Sequence, residues 1–239
     1  MKELLGPTIN RFLRACGYEV RRYDFSNTAF QARQAIMDSH LDTVIDVGAN
    51  RGQYGGGVAC LRPDVAIHSF EPLPDAFSDL QAASRDIDRW RVHNVALGRA
   101  SAEMVMHVAA NSESSSLLSM NQFLIDTAPE TAPVNTVKVA VKPLDDFIRL
   151  FGRDIFLKVD AQGFEAEVIG GGAAVLKRTR FVQLEVSFVQ LYDNSPLAHD
   201  IIKQMFDIGF EVHTVNPVFS DSRRARLLQG DILFSRPMG

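Results

Sequence analysis

The apolar residues of this chain fall into short runs that switch between a helical period and a strand period. Thr28 to Asp38 suits a helix, and Thr43-Val44-Ile45-Asp46-Val47-Gly48 then forms a β-branched run ending in a carboxylate and a glycine, as a buried central strand does. The alternation repeats: Ala66 to Phe70 predicts a strand ending at Glu71, Asp75 to Ser84 a helix, and Arg91 to Leu97 a third strand. From Ala102 to Val141 the pattern changes. Two β-rich runs, Glu103 to Val108 and Val137 to Val141, flank a serine-rich segment and a helix-compatible stretch near Leu117 to Ile125, which predicts an insertion lying beside the main sheet. Regularity resumes with a strand over Ile155 to Val159 ending at Asp160, a helix from Glu165 to Leu176, and a strand from Phe181 to Val186 that contains Glu185. A helix carrying Ile201, Ile202, Met205 and Phe206 stops at Gly209, and strands follow over Glu211 to Val215 and Asp231 to Ser235. Strands alternating with helices imply a parallel sheet, here of about seven strands, whose last two suit an antiparallel closing pair joined by a loop with Arg223, Arg224 and Arg226. Leu5, Ile9, Phe12 and Leu13 recur at helical spacing, so residues 1–40 are expected to form an N-terminal helical cap and residues 41–239 the main domain.

Composition narrows the class. Of 239 residues, 46% are hydrophobic and 23% charged, a balance that suits one globular domain with a real core and excludes disorder, collagen-like repeats and a disulfide scaffold. The net charge of -4 argues against a nucleic-acid partner, whose binder needs a basic footprint. Cys16 and Cys60 lack metal-ligand spacing, so neither zinc nor a disulfide is indicated, and the usage suits a reducing cytoplasm. The opening Met1-Lys2-Glu3-Leu4-Leu5-Gly6-Pro7 is too polar for a signal peptide, and no run approaches the ~18 apolar residues of a membrane span. A soluble cytoplasmic protein with no transmembrane segment is expected.

The chemistry begins at Asp46-Val47-Gly48-Ala49-Asn50-Arg51-Gly52, which follows the first core strand, where open parallel sheets bind ligands. Its G-x-x-x-G pattern lacks the middle glycine that makes room for a pyrophosphate, and Asn50 stands there instead, which disfavours a dinucleotide and a nicotinamide-dependent dehydrogenase. Glu71 lies 71 - 46 = 25 residues beyond Asp46, near the ~20-residue offset of a ribose-binding carboxylate. A ribose-bearing ligand without phosphate fits both features. S-adenosylmethionine is such a ligand, its diol meeting Glu71, its ammonium Asp46 and its carboxylate the glycine-turn amides; the alternative is that these residues merely turn and cap a strand-to-helix junction.

The ordered set Asp46-Val47-Gly48-Ala49-Asn50-Arg51-Gly52, Ser69-Phe70-Glu71-Pro72, Asn94-Val95-Ala96-Leu97-Gly98, Ser114-Ser115-Ser116-Leu117-Leu118, Leu144-Asp145 and Leu157-Lys158-Val159-Asp160-Ala161-Gln162-Gly163-Phe164-Glu165 resembles the FkbM family of S-adenosylmethionine-dependent methyltransferases. The likeness continues through Leu184-Glu185-Val186-Ser187, Leu191-Tyr192 and Asp231-Ile232-Leu233-Phe234, and so runs from about Leu41 to the C-terminus. It implies an α/β class I methyltransferase fold, Rossmann-like, with a seven-stranded, mostly parallel sheet, helices on both faces and an antiparallel last strand. It also implies methyl transfer to a hydroxyl of a sugar, glycan or natural product. Carried over by position, Asp46, Gly48, Asn50, Gly52 and Glu71 form the cofactor-binding set, with Asn94 and Ala96 at the adenine edge. Ser114, Ser115 and Ser116 become an acceptor-binding edge. Two stretches depart from the family: Gly55-Gly56-Gly57 falls where a firm helix should start, and Ala161-Gln162 replaces a branched, often acidic pair.

An aliphatic hydroxyl needs a base or a divalent metal to become a nucleophile. Asp160, on the same sheet rim as Asp46 and Glu71, is the first candidate, Glu185 the second and Glu165 the third. Together they admit a magnesium ion at Asp160, whereas a structural account has Asp160 and Glu165 serving the helix N-terminus near Gly163. His68, His93, His107 and His213 are read as packed or exposed rather than catalytic, and the three arginines as a solvated cluster. The expected activity is S-adenosylmethionine-dependent O-methyl transfer to a small-molecule or glycan acceptor. The alternatives are N-methyl transfer and a non-catalytic cofactor-binding or scaffold module.

Overall fold

In β1 (Thr43–Val47) every residue is buried, because the strand lies between two parallel neighbours and is covered on both faces. The computed structural model describes residues 28–221 and 223–237; the expected helix over Leu5 to Leu13 and Cys16 lie outside the described residues. The elements run α1 (Thr28–Ile36), β1, α2 (Gln53–Leu61), β2 (Ala66–Phe70), α3 (Pro74–Ser84), β3 (Trp90–His93), β4 (Ala96–Leu97), β5 (Ala102–Ala109), α4 (Gln122–Thr127) and β6 (Pro133–Lys142). They continue with β7 (Ile155–Val159), α5 (Glu165–Gly170), α6 (Ala173–Leu176), β8 (Thr179–Ser187), α7 (Ala198–Asp207), β9 (Glu211–Asp221) and β10 (Arg226–Ser235).

The main sheet has seven strands in the order β3-β2-β1-β7-β8-β10-β9, and β10 runs antiparallel to both of its neighbours while the others are parallel. The chain therefore has the expected class I methyltransferase fold. Period-2 alternation splits the core between the two faces. Ile45 and Val47 pack with Leu157, Val168, Ile201 and Met205 on one side, and Val44 packs with Val58, Leu80, Trp90 and Phe156 on the other. Among the described residues no helix is long and apolar enough to cross a membrane.

Three expectations are corrected. The strand expected over Arg91 to Leu97 breaks after His93: Asn94 turns its amide onto the carbonyls of Glu71 and Pro72 (2.9 and 3.1 Å), and Ala96-Leu97 joins a separate three-stranded sheet, β4-β6-β5. The helix expected from Glu165 to Leu176 divides at Gly171-Gly172, where a side chain on Gly171 would overlap the Gly98 carbonyl. The closing hairpin is longer than expected, β9 reaching Asp221 through Pro217, which an edge strand tolerates, and β10 starting at Arg226. Helix α2 runs from Gln53 through the glycines at 55, 56 and 57, and the Trp90 indole fills the space where a Gly55 side chain would stand.

Register sets up the site. Val47 pairs with Phe70 and with Val159, and Val159 pairs with Leu184. The next residues, Gly48, Glu71, Asp160 and Glu185, therefore emerge side by side at the carboxyl ends of four adjacent strands.

Candidate active site

That rim opens into a cavity of about 560 Å³, whose wall also takes in Met106 of β5 and Asn111 to Ser115 after it. Gly48, Asn50, Glu71, Ala96, Ser114, Ser115, Asp160 and Glu185 reach its wall, and Asp46, Gly52, Asn94, Ser116 and Glu165 do not.

On one side the glycine turn is pinned to β2. Gly48 (φ 73) donates its N–H to Phe70 O at 3.0 Å, and Asn50, also left-handed (φ 46), donates its N–H to Glu71 Oε2 at 2.8 Å. The other carboxylate oxygen of Glu71 accepts from Leu73 N at 2.8 Å. Burial pushes the Glu71 pKa up to about 7, against the pull of those two amides. Asn94 and Gly52 serve this loop from behind, Asn94 through the carbonyls already named and Gly52 by fitting against Leu80 and Trp90. Asn50 Oδ1 and Tyr54 OH are buried here with no hydrogen-bond partner among the described residues.

Asp46 lies beneath the cavity. It is fully buried, accepts from Ser69 Oγ at 3.3 Å and faces Lys158 Nζ at 3.5 Å. Burial raises its pKa, partly offset by Lys158. Lys158 was not a sequence candidate, since one lysine in a strand reads as an ordinary polar position. It stands between Asp46 and Asp160, 3.5 Å from each. Burial alone would lower its pKa, but Asp160, Asp46 and Glu185 raise it, so the ammonium stays charged.

The opposite side is built on the β7–β8 rim. Gln162, left-handed at φ 51, donates from Nε2 to Asp160 Oδ1 (2.6 Å) and Glu185 Oε2 (2.8 Å), and its Oε1 accepts from Tyr192 OH. Glu185 Oε2 also accepts from Gln229 Nε2 at 3.0 Å. Burial raises the Glu185 pKa well above the usual carboxylate range, with Asp160, Glu165 and Asp231 adding to the effect. Glu165 takes the structural place: its Oε1 accepts from Ala161 N (2.9 Å) and Gly163 N (3.1 Å), shaping the loop that presents Gln162. Ser116 Oγ fixes the same loop by donating to Gln162 O at 2.7 Å, and Ser115 Oγ accepts from Ala109 N at 3.1 Å.

The expectation of magnesium at Asp160 is not supported. Among the described residues no group of three or more His, Cys, Asp or Glu side chains is placed to hold a metal ion, and the Gln162 amide stands between the two carboxylates that would share one. His68 and His93 stack among Phe70, Phe147 and Phe151 in the core. Arg224 is bound to Asp221 at 2.7 Å, and neither it nor Arg223 reaches the cavity.

The methyltransferase FkbM domain matches residues 46–212, more than half of the chain and the whole of the rim just described. The chain belongs to the FkbM methyltransferase family. This FkbM methyltransferase is similar to the 2-O-methyltransferase NoeI of Sinorhizobium fredii (strain NBRC 101917 / NGR234), at 23% identity over 201 residues, covering 81% of this chain and 83% of the relative. Solved structures that resemble it include an rRNA methylase from Streptococcus thermophilus (TM-score 0.48, 10% identity, 90% of this chain and 100% of that one). A TehB-like SAM-dependent methyltransferase from Corynebacterium glutamicum ATCC 13032 Kitasato resembles it as well (TM-score 0.44, 12% identity, 97% and 96%). In this FkbM methyltransferase the glycine turn and Glu71 occupy one flank of the cavity, and the Asp160–Gln162–Glu185 cluster the other.

Proposed function

We propose that this FkbM methyltransferase transfers a methyl group from S-adenosylmethionine to a hydroxyl of a sugar, glycan or similarly polyhydroxylated small molecule. The observation that carries the reading is the division of one cavity into a glycine-turn flank that suits a nucleoside and a carboxylate flank that suits a hydroxyl.

The residues present fit S-adenosylmethionine. Asn50 Oδ1 and Tyr54 OH are buried polar atoms of the cavity wall with unused capacity, and the Glu71 carboxylate, with one amide on each oxygen, keeps lone pairs for a diol. Gly48 lets the chain approach closely, and Ala96 leaves room at the adenine edge. When bound, S-adenosylmethionine supplies a methyl group on a positively charged sulfur. Asp46 and Lys158 support the floor from below. Asp160 then serves as the base that takes the acceptor hydroxyl proton, and Glu185, whose pKa burial raises above the usual carboxylate range, faces the same acceptor from the cavity wall. Ser114 and Ser115 line the acceptor side. The reaction belongs in the cytoplasm, which the cysteine usage suits.

Calorimetric titration with S-adenosylmethionine and, separately, NAD, followed by transfer of labelled methyl to a panel of saccharides, tests the reading. Binding of S-adenosylmethionine alone, lost in Asp46→Ala and Glu71→Ala variants that stay folded, is expected. Methyl transfer only to nitrogen would overturn the hydroxyl assignment, and a folded protein that binds neither ligand would overturn catalysis.

A further inference from the structure

Gln162 occupies a place that its own backbone does not favour. A residue with a Cβ in the left-handed region is strained and persists where the surroundings over-determine it. Here they do so from three directions: Glu165 holds the amides on either side of Gln162, and Ser116 holds its carbonyl. The strained turn delivers one side-chain nitrogen between two carboxylates from neighbouring strands, with a short 2.6 Å bond to Asp160 and a 2.8 Å bond to Glu185. Tyr192 OH sets the direction of the amide, because it donates to Oε1 and so turns both N–H bonds toward the carboxylates.

We propose that Gln162 is the positioning residue of this active site: its amide holds Asp160 and Glu185 at a fixed separation and aims Asp160 into the cavity, doing with a neutral donor what a shared cation would otherwise do. This rests on Asp160 being the base. Two facing carboxylates repel, and a neutral bridge relieves the repulsion without cancelling the negative charge that a base requires. Asp160 Oδ1 is occupied by this bridge while Oδ2 lies on the Lys158 side, 3.5 Å from the ammonium. Gln162→Glu would place a third carboxylate in the same space, converting the bridge into a set of hard oxygen ligands that a divalent cation would have to neutralise.

The test compares Gln162→Met, which keeps the volume and loses both donors, with Gln162→Glu and Tyr192→Phe. For Gln162→Met the expected result is a fall in kcat of about 10- to 100-fold, part of the range positioned bases supply. The KM for S-adenosylmethionine should stay within about threefold of wild type, because the defect lies on the flank away from Glu71, and the acid limb of the pH–rate profile should move to higher pH, since donors to a carboxylate favour its ionised form. Tyr192→Phe should shift the same profile in the same direction by less. Gln162→Glu should gain a thermal-melt response to magnesium chloride that wild type lacks, a readout independent of turnover. Wild-type kcat and pH profile in Gln162→Met, or no magnesium response in Gln162→Glu, would overturn the proposal. Asp160→Asn separates the two layers: an active Asp160→Asn enzyme removes the base assignment and this proposal with it, whereas an inactive one beside a fully active Gln162→Met removes only the role of Gln162.

Discussion

Gly48 sits so close to the carbonyl oxygen of Asp160 that no side chain fits between them. The first turn of the cofactor flank and the residue proposed as base are thus packed backbone to backbone, and the two flanks of the cavity meet there.

Gly48→Ala is therefore expected to be costly twice over, once for a left-handed backbone (φ 73) and once for the overlap with a carbonyl that cannot swing away. The backbone part alone is ~1–2 kcal/mol. Urea unfolding should show a loss at least that large, and calorimetry should show loss of S-adenosylmethionine binding in whatever folded protein remains.

The glycines of α2 should split in their response. A side chain on Gly55 would overlap the Trp90 indole, so Gly55→Val should destabilise, whereas Gly57 is exposed and a methyl group added there would meet nothing within 4 Å. Gly57→Ala should stabilise by ~0.5–1 kcal/mol through helix propensity and unfolded-state entropy. Paired thermal melts check the contrast.

Removing the Glu71 carboxylate strands two amides at once. Glu71→Ala leaves Asn50 N and Leu73 N without their acceptors, and each unpaired buried donor costs ~1–3 kcal/mol. Reduced stability together with at least about a tenfold weaker S-adenosylmethionine affinity, since ~1.4 kcal/mol is tenfold, is the expected outcome in melts and calorimetry.

Stability should respond to pH in two opposed ways. Burial holds His68 at a pKa of about 4 against 6.5 when unfolded, so the unfolded chain binds the extra proton first, and the contribution of His68 is full above 6.5 and falls away as pH drops toward 4. His68→Leu should flatten that acid limb. Glu165 runs the other way: burial raises its pKa to about 7 from 4.5, so its contribution is present below 4.5 and is lost as pH rises through 7. Glu165→Gln keeps an acceptor oxygen for Ala161 and Gly163, and its stability relative to wild type should rise between pH 4.5 and about 8 in denaturant titrations at each pH.

The central strands were legible to the residue. Thr43–Val47, Ala66–Phe70 and Ile155–Val159 are five-residue, mainly apolar runs closed by glycine or a carboxylate, and burial on both faces favours that composition. The rim carboxylates were legible for the same reason, since a strand end is visible in sequence. What long-range packing decides was not. Nothing local to Arg91 to Leu97 announces that Asn94 will bond back to Glu71 and hand Ala96 to another sheet, and nothing local to Gly55 announces Trp90. Lys158 and Gln162 escaped as site residues because their meaning lies in neighbours from other strands: Asp46 for one, Glu185 and Tyr192 for the other.

The small sheet β4-β6-β5 is closed at one end by a single residue, because Val141 of β6 pairs with both Ala96 of β4 and Ala102 of β5. Its interior is a separate cluster around Met106, Val139 and Val141 that shares Leu73 and Ala76 with the start of α3. Exchanging residues 102–141 between relatives should therefore disturb both flanks of the cavity at once, because Ser112 accepts from the Asn50 amide and Ser116 holds the Gln162 carbonyl.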